Sequence, residues 1–178
     1  MVTFAPDLKL RFMPREKPGP VLRWHVIADL CLEHGLKHGA EIGVKKGMFA
    51  RHILDKVPGS SLVCVDPWAP TPGYDHWDHE KNYREFLAVT AGKATTVLRM
   101  TGHEAAEHVP DGSLDFVFID GDHRYEAVKQ DIADWAPKVR KGGLVSGHDI
   151  DKYPVECAVR AMYAAYETGA NSVWMVWK

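Results

Sequence analysis

The amino-acid sequence predicts a compact, doubly wound α/β domain, with a mostly parallel sheet of six or seven strands and helices on both faces. Two features of the chain predict this fold. Short apolar strand segments alternate with amphipathic helical segments, which is typical of parallel sheets joined by helical crossovers. Several strands also end in polar residues, and right-handed crossovers bring such strand ends to one edge of the sheet. We therefore expect a ligand site at that edge.

Length and charge limit the classes of protein to which the chain can belong. Its 178 residues suit one domain, which we place at 21–178. Residues 1–20 contain several prolines and no apolar core, so we expect an extended arm rather than a signal peptide or membrane span. Lysine and arginine number 22 against 24 acidic residues. Because no basic field would hold nucleic acid, a small-molecule partner is favoured.

The three cysteines lie far apart in the sequence, in apolar contexts, at Cys31, Cys64 and Cys157. No pair has the Cys-x-x-Cys spacing of zinc or redox sites. We therefore expect reduced thiols in a cytoplasmic protein, and no zinc site.

A glycine-bearing turn joins the first strand to the helix that follows it. After a helix over 21–36, a short apolar strand ends at Ile42, and Gly43 and Gly47 lead into an amphipathic stretch from Met48. Gly43 permits a sharp turn and the close approach of a ligand, and Gly47 keeps the helix start uncrowded. The free N–H groups of a helix start favour an anionic group. The turn is therefore a candidate ligand cradle.

The second strand, over 61–65, ends at Asp66. This residue follows Glu41 at about the separation, roughly 20 residues, at which nucleotide-binding α/β folds place a ribose-binding carboxylate. A cap in an Asp-Pro turn is the alternative. The segment 68–83 is rich in aromatic residues, with proline and glycine that argue against regular structure. Its rings could wall an acceptor pocket, and His76 or His79 could reach the chemistry. The alternative is a surface loop that is fixed in place by its two tryptophans.

Two further strands end in residues that suit a binding site or chemistry. A third strand over 94–99 leads to Thr101, a candidate helix cap with Glu104 as its reciprocal partner. The apolar strand over 114–119 has the character of a central parallel strand, and it ends in the cluster Asp120, Asp122 and His123.

The C-terminal part continues the pattern. The fifth strand, over 144–147, ends in His148 and Asp149 at the same predicted edge. A helix over 154–166 and a strand over 172–177 follow, so six strands are visible in the sequence. The last strand carries apolar residues on both faces. As an exposed sheet edge it would tend to be covered, which favours a homodimer.

Two motifs resemble those of class I S-adenosylmethionine-dependent methyltransferases. Glu-x-Gly-x-x-x-Gly, from Glu41 to Gly47, resembles motif I of that family. Ile-Asp-Gly-Asp-His-x-Tyr and the later Lys-Gly-Gly-Leu-Val-Ser-Gly-His-Asp resemble a small-molecule O-methyltransferase branch that includes macrolide-sugar methyltransferases and relatives of cephalosporin hydroxylase. The resemblance covers about 39–149. It implies a Rossmann-like methyltransferase sheet that binds S-adenosylmethionine.

The same resemblance implies positions for the parts of the cofactor. Glu41 would lie beside its amino acid end, Asp66 at its ribose, Thr101 near its adenine, and Asp120 near its methionine part. The residues that we expect to bind the cofactor are Glu41, Gly43, Gly47, Asp66, Thr101 and Asp120.

The implied reaction moves a methyl group from sulfonium to a hydroxyl oxygen. His123 is the first candidate for the base, since a neutral imidazole can take a proton near pH 7, and a structural cap is its alternative. In the resembled branch a magnesium ion is often held at positions that match Asp120, His148 and Asp149. An imidazole there would favour manganese over magnesium. The metal-free alternative has Asp149 orienting His148 or His123 as the base, with Asp120 facing the cofactor.

Two other functions stay open at the level of sequence. One is a noncatalytic module that binds the cofactor or serves in an assembly, which the missing seventh strand and the modest glycine content favour. The other is a hydroxylase-like relative with the same fold.

Overall fold

The computed structural model describes residues 20–71 and 73–178. Of the arm expected at 1–20, residues 1–19 lie outside the described residues. Seven strands and six α-helices form within the described ranges. The helices are α1 Arg23–His34, α2 Met48–Lys56, α3 His79–Val89, α4 Gly102–Ala106, α5 Tyr125–Trp135 and α6 Tyr153–Met162. The strands are β1 His38–Ile42, β2 Ser61–Val65, β3 Thr95–Leu98, β4 Leu114–Ile119, β5 Val139–Gly147, β6 Glu167–Gly169 and β7 Val173–Trp177.

The sheet confirms the predicted doubly wound α/β fold. Its strand order is β3-β2-β1-β4-β5-β7-β6. Strands β1 to β5 pair in parallel, and β7 lies antiparallel between β5 and β6. The order reverses between β1 and β4, and the carboxyl ends of these two strands meet there. In open α/β sheets, this reversal is where ligands bind.

Helices cover both faces of the sheet, as expected, and each face has its own core. Helices α1, α2 and α3 pack on one face, where Phe49 stacks on Phe118 with ring centroids 4.2 Å apart. Helices α4, α5 and α6 pack on the other face around the buried side chains of Ile132 and Trp135. Because both faces are covered, the central strands are apolar almost throughout, as the run in β4 indicates.

The expectation of an exposed C-terminal edge strand is wrong. Strand β7 pairs with β5 on one side and with β6 on the other, and Val173, Trp174 and Met175 are buried. Strand β6 was not visible in the sequence, because its three residues Glu167–Gly169 have no apolar alternation. The helix predicted over 154–166 ends at Met162, since Tyr163 adopts an extended conformation and leads toward β6. The homodimer stays a prediction without the exposed edge on which it rested.

The start of α1 is held by a side chain from the other end of the chain. Leu22 occupies the N-cap position and supplies no side-chain cap to α1. Instead the Arg23 N–H donates to Asn171 Oδ1 at 2.9 Å, and Asn171 lies in the turn between β6 and β7. The last hairpin therefore fixes the N-terminal end of α1 beside the sheet edge.

None of the helices in the described ranges is long and apolar enough to cross a membrane. The three cysteines are free thiols. Cys31 and Cys64 are buried and Cys157 is half-buried. Burial raises the pKa of Cys31 to about 12, helped by the negative charge of Asp115.

Candidate functional site

A cleft of about 760 Å³ opens at the carboxyl edge of the sheet. It is lined by the turn between β1 and α2, by the segments that follow β2, β4 and β5, and by the start of α1. The predicted site residues that line it are Glu41, Gly43, Asp66, Thr101, Asp120, His123, His148 and Asp149. The structure therefore brings together residues that are far apart in the sequence.

Gly43 lies where the ends of β1 and β4 touch. It has a φ of +91°, and a Cβ at this position would lie 2.3 Å from the carbonyl oxygen of Asp120. The Gly43 N–H donates to Val65 O at 2.8 Å, and the Asp120 N–H donates to Ile42 O at 2.8 Å. A side chain would therefore push apart the strand ends that form the cleft floor.

Gly47 lies outside the cleft lining. It occupies the N-cap position of α2 with a φ of +75°, and a Cβ there would lie 2.7 Å from Phe86 Cδ2. A glycine is thus required at this position by the backbone conformation and by the packing of α2 against α3. Gly47 therefore contributes to the shape of the cradle turn without lining the cleft.

Asp66 holds the cradle turn in shape. Its Oδ2 accepts from the Val44 N–H at 3.0 Å and the Lys45 N–H at 2.8 Å, and its Oδ1 accepts from the Trp68 N–H at 2.7 Å. Lys45 has a φ of +54°, an unfavourable conformation for lysine that these bonds help to maintain. The carboxylate therefore has a structural role in addition to the predicted contact with ribose.

Glu41 is the most deeply buried acidic residue of the cleft. It is 2% exposed, and its Oε2 has no hydrogen-bond partner in the described part of the chain. Burial raises the pKa of Glu41 well above its usual value, and the negative charge of Asp120 adds to this, while the positive charge of Arg23 opposes it. A buried acceptor of this kind suits a cationic partner such as an ammonium group.

The end of the cleft next to α4 contains one predicted feature and one that was missed. Thr101 and Glu104 form the predicted capping box, with the Thr101 N–H donating to Glu104 Oε2 at 3.0 Å. Beside it the Asp131 carboxyl from α5 packs so closely that a Cβ on Gly102 would lie 2.5 Å from Asp131 Oδ1. Burial raises the pKa of Asp131 to about 7, with help from Asp134 and Asp122.

Two histidines and two aspartates form a cluster at the ends of β4 and β5. His123 Nε2 lies 2.8 Å from Asp149 Oδ2 and 3.7 Å from Asp120 Oδ1. His148 Nδ1 lies 3.2 Å from Asp149 Oδ1 and 3.4 Å from Asp120 Oδ1. Lys152 adds a third cation, with Nζ 2.8 Å from Asp149 Oδ2. Positive and negative groups therefore alternate around this cluster.

The charges of the cluster stabilise one another. Interaction with Asp120 and then with Asp149 raises the pKa of His123 to about 9. Burial lowers the pKa of His148, but the same two carboxylates outweigh it and raise the value to about 9. Burial alone would raise the pKa of Asp149, yet His123, His148 and Lys152 hold it well below its usual range. Both carboxylates therefore favour the protonated form of His123, whereas the role of base requires its neutral form.

The aromatic segment after β2 reaches this cluster. The Tyr74 hydroxyl lies 2.8 Å from His123 Nδ1, on the side of the ring opposite Asp149. The Trp68 indole N–H donates to Lys45 O at 2.7 Å, and Lys45 Nζ lies 3.7 Å above the Trp77 ring. The expectation that aromatic rings of this loop line the cleft is met by Trp68, Tyr74 and Trp77. Of the two histidines considered there, His79 lines the cleft.

The cluster fits a divalent metal by its donor atoms. Asp120, His123 and Asp149 each offer a ligand atom, and these atoms lie within 4.8 Å of one another. This group contains His123 where the sequence favoured His148. The Nε2 atoms of His123 and His148 are buried and make no hydrogen bond to a described residue, since the 2.8 Å contact of His123 Nε2 with Asp149 Oδ2 is an ion pair without hydrogen-bond geometry. Unpartnered imidazole nitrogens beside carboxylates are suited to manganese, iron or zinc.

Comparison with known proteins gives a family match over most of this region. A family model described as Methyltransferase domain matches residues 40–150. The chain is also 27% identical over 166 residues to an uncharacterized protein, y4gI, of Sinorhizobium fredii. That match covers 85% of this chain and 18% of the relative, so the chain spans less than one fifth of the length of this relative.

Solved structures share the fold at low sequence identity. The O-methyltransferase NovP is 19% identical with a TM-score of 0.63, over 85% of this chain and 76% of that one. An O-methyltransferase from Bacillus cereus, in complex with SAH, is 15% identical with a TM-score of 0.60, over 90% of this chain and 84% of that one.

Proposed function

The chain belongs to the Methyltransferase domain family, and from this premise we propose that it transfers a methyl group from S-adenosylmethionine to a hydroxyl group of a small molecule. The proposal rests on one observation: the same cleft contains acidic residues that suit the cofactor and a His–Asp cluster that suits the acceptor. Glu41 and Asp66 lie on the β1 and β2 side, where they suit the amino acid and ribose of the cofactor. The His–Asp cluster lies on the β4 and β5 side, where it suits an acceptor hydroxyl.

The proposed reaction is an in-line displacement. The acceptor oxygen forms a bond to the methyl carbon while the sulfur–methyl bond breaks, and the bonding electrons return to sulfur to give S-adenosylhomocysteine. The acceptor proton leaves to a base. Such a reaction gains most from holding the two reacting atoms close and in line, which is the work of a cleft that binds both molecules.

His123 is the proposed base, and its two ring nitrogens lie 2.8 Å from Asp149 Oδ2 and 2.8 Å from the Tyr74 hydroxyl. Because Asp120 and Asp149 raise the pKa of His123 to about 9, the ring must lose a proton before it can accept one. The positive charge of Lys152, whose Nζ lies 3.2 Å from His123 Nδ1, favours this loss. The neutral ring would then accept the hydroxyl proton beside Asp149. His123→Ala with unchanged turnover and intact cofactor binding would reject this role.

A divalent metal is the alternative to a His123 base, with Asp120, His123 and Asp149 as its ligands and His148 beside them. Bound there, the ion would lower the pKa of the acceptor hydroxyl. Since a cation replaces the positive charge that the imidazoles otherwise carry, both imidazoles would be held neutral around it. The test strips the protein with a chelator, assays methyl transfer, and then adds magnesium and manganese separately. Restoration by manganese supports these ligands, whereas full activity without either ion rejects the metal.

The proposed function is tested by two measurements on the wild type. Calorimetric titration with S-adenosylhomocysteine should show binding to one site per chain. Incubation with labelled S-adenosylmethionine and a panel of sugars and phenols should then show transfer of label to an oxygen. Absence of binding contradicts the proposal. Binding without transfer to any acceptor favours the noncatalytic module, although the missing strand that supported that alternative is present as β6.

A further inference from the structure

Arg23 reaches the inner end of the cleft from outside the sheet. It is the first residue of α1, and its backbone is fixed by the bond to Asn171. Its side chain lines the cleft, and its Nε lies 3.0 Å from Asp120 Oδ2. The same side chain acts on Glu41, whose pKa its positive charge lowers against the stronger effect of burial. Arg23 is thus placed near the two acidic residues assigned to the methionine part of the cofactor.

The hydrogen-bonding capacity of Arg23 is largely unused. Its Nε is buried, and although Asp120 is close, the geometry does not give a hydrogen bond. No hydrogen bond from the Arg23 side chain to any other described residue is present. A guanidinium carries five N–H donors in a planar fork that matches a carboxylate in bidentate fashion. Leaving the buried Nε donor unpaired costs free energy that a bound anion would recover.

The other lysine and arginine side chains that line the cleft are engaged elsewhere. Lys46 pairs with Glu85 at 3.0 Å, and Arg124 pairs with Asp122. Lys45 lies over the Trp77 ring. Within the described ranges, Arg23 is therefore the cleft-lining guanidinium or ammonium group that faces Asp120 and Glu41.

We infer that Arg23 binds the carboxylate of the cofactor's amino acid end, while Glu41 binds its ammonium group. The inference rests on the proposed function, because it assumes that the cofactor is S-adenosylmethionine. A zwitterion needs an anion acceptor and a cation acceptor side by side. Glu41 and Arg23 supply both beside Asp120, and Asp66, which follows β2, is left for the ribose. Arg23 would then recognise the carboxylate of the cofactor in addition to neutralising the charge of Asp120.

The test compares two ligands that differ in the carboxylate alone. One is S-adenosylhomocysteine, and the other is its decarboxylated analogue, the same thioether with a propylamine in place of the amino acid. The wild type should prefer the first ligand by about 10- to 100-fold, the range for a charge-assisted pair. In Arg23→Gln this preference should fall to within about threefold of equality, because affinity for the decarboxylated analogue is retained. Arg23→Lys keeps the charge and should keep part of the preference.

Arg124→Gln is the matched control, since it removes the same charge from the mouth of the same cleft, and it should keep the full preference. If Arg23→Gln weakens both ligands equally, Arg23 serves only to neutralise Asp120 and Glu41, and the inference is overturned. An Arg23→Lys variant that melts like the wild type and keeps the whole preference also contradicts it, because a lysine lacks the fork. If the wild type binds neither ligand, the failure is that of the proposed function itself.

Discussion

At the scale of single residues, Asp131 has a carboxyl group that packs against the backbone at Gly102 and does not pair with a cation among the described residues. Its pKa is raised to about 7, first by burial and then by Asp134 and Asp122, with His103 opposing. Since the folded state binds the proton more tightly than the unfolded chain, its contribution to stability is full below about pH 4 and is lost as pH rises through 7. Asp131→Asn should therefore raise the free energy of unfolding at pH 8 by on the order of 1–3 kcal/mol.

The same substitution should give no such gain at pH 4, where the wild-type carboxyl is protonated in the folded state. Urea unfolding at the two pH values measures the difference. Glu126→Gln is the control, because Glu126 is an exposed acid on the same helix. A gain of equal size at both pH values, or an equal gain in the control, would show that the charge of Asp131 is not the cause.

Gly43 is the residue on which the cradle depends most directly. Gly43→Ala places a methyl group 2.3 Å from the Asp120 carbonyl oxygen, in addition to the strain of a φ of +91°. We expect binding of S-adenosylhomocysteine to fall by at least about 10-fold, because the ends of β1 and β4 must separate. Calorimetric titration measures the loss.

Gly59→Ala is the control that distinguishes the effect of backbone strain from that of steric crowding at Gly43. Gly59 has a similar φ of +74°, but a Cβ there would meet nothing within 4 Å. This control should lose only about 1 kcal/mol of stability and keep its affinity for the ligand. Equal loss of affinity in the two variants would mean that the crowding at Gly43 has no special role.

At the scale of elements, α1 is positioned by the hairpin at the opposite end of the chain. Asn171→Ala removes the acceptor for the Arg23 N–H and leaves alanine at a φ of +55°. The variant should lose about 1–2 kcal/mol of stability, as for other lost helix caps. Asn171→Asp keeps an acceptor and a residue type that tolerates this conformation, so it should keep most of the stability. Chemical denaturation of the three proteins measures this, and equal losses in both variants would contradict a capping role.

Elements with a local signal were predictable, and those without one were not. The capping box of Thr101 and Glu104 uses two side chains three residues apart, so the sequence alone indicates it. Strand β6 has no such signal, because it forms only where β7 offers it a partner. The cap that Asn171 provides to α1 joins residues 148 apart in the chain, and no local pattern reports a contact of that range.

At the scale of the whole molecule, the site lies where one topological rule places it. The predicted polar residues at the ends of β1, β2, β4 and β5 line one cleft because parallel strands end at the same edge. Arg23 and Asp131 reach the same cleft from the helices α1 and α5. The sequence did not indicate these two residues as part of the site. Whether a helical residue reaches the cleft depends on which face of its helix it occupies, and the neighbouring sequence does not reveal which face borders the cleft. The raised pKa of His123 has no signal in the local sequence either, since it depends on carboxylates at the ends of two different strands.

The position of the cleft also predicts how a ligand acts on the stability of the fold. A ligand that contacts the ends of β1, β2 and β4 binds the folded state and not the unfolded chain, so it must raise the melting temperature. At a concentration of about 100 times its dissociation constant, S-adenosylhomocysteine should add about 2.7 kcal/mol of stability. For a domain of this length that corresponds to roughly 5–10 °C.

This shift can be measured by calorimetry at increasing ligand concentration, with Gly43→Ala as the comparison. In the wild type the melting temperature should rise with the logarithm of the concentration once the site is saturated, because each tenfold increase adds about 1.4 kcal/mol. In Gly43→Ala the rise should begin at a concentration at least about 10-fold higher, since the separated strand ends weaken the site. An identical rise in both proteins would mean that the ligand binds elsewhere than in the cleft between β1 and β4.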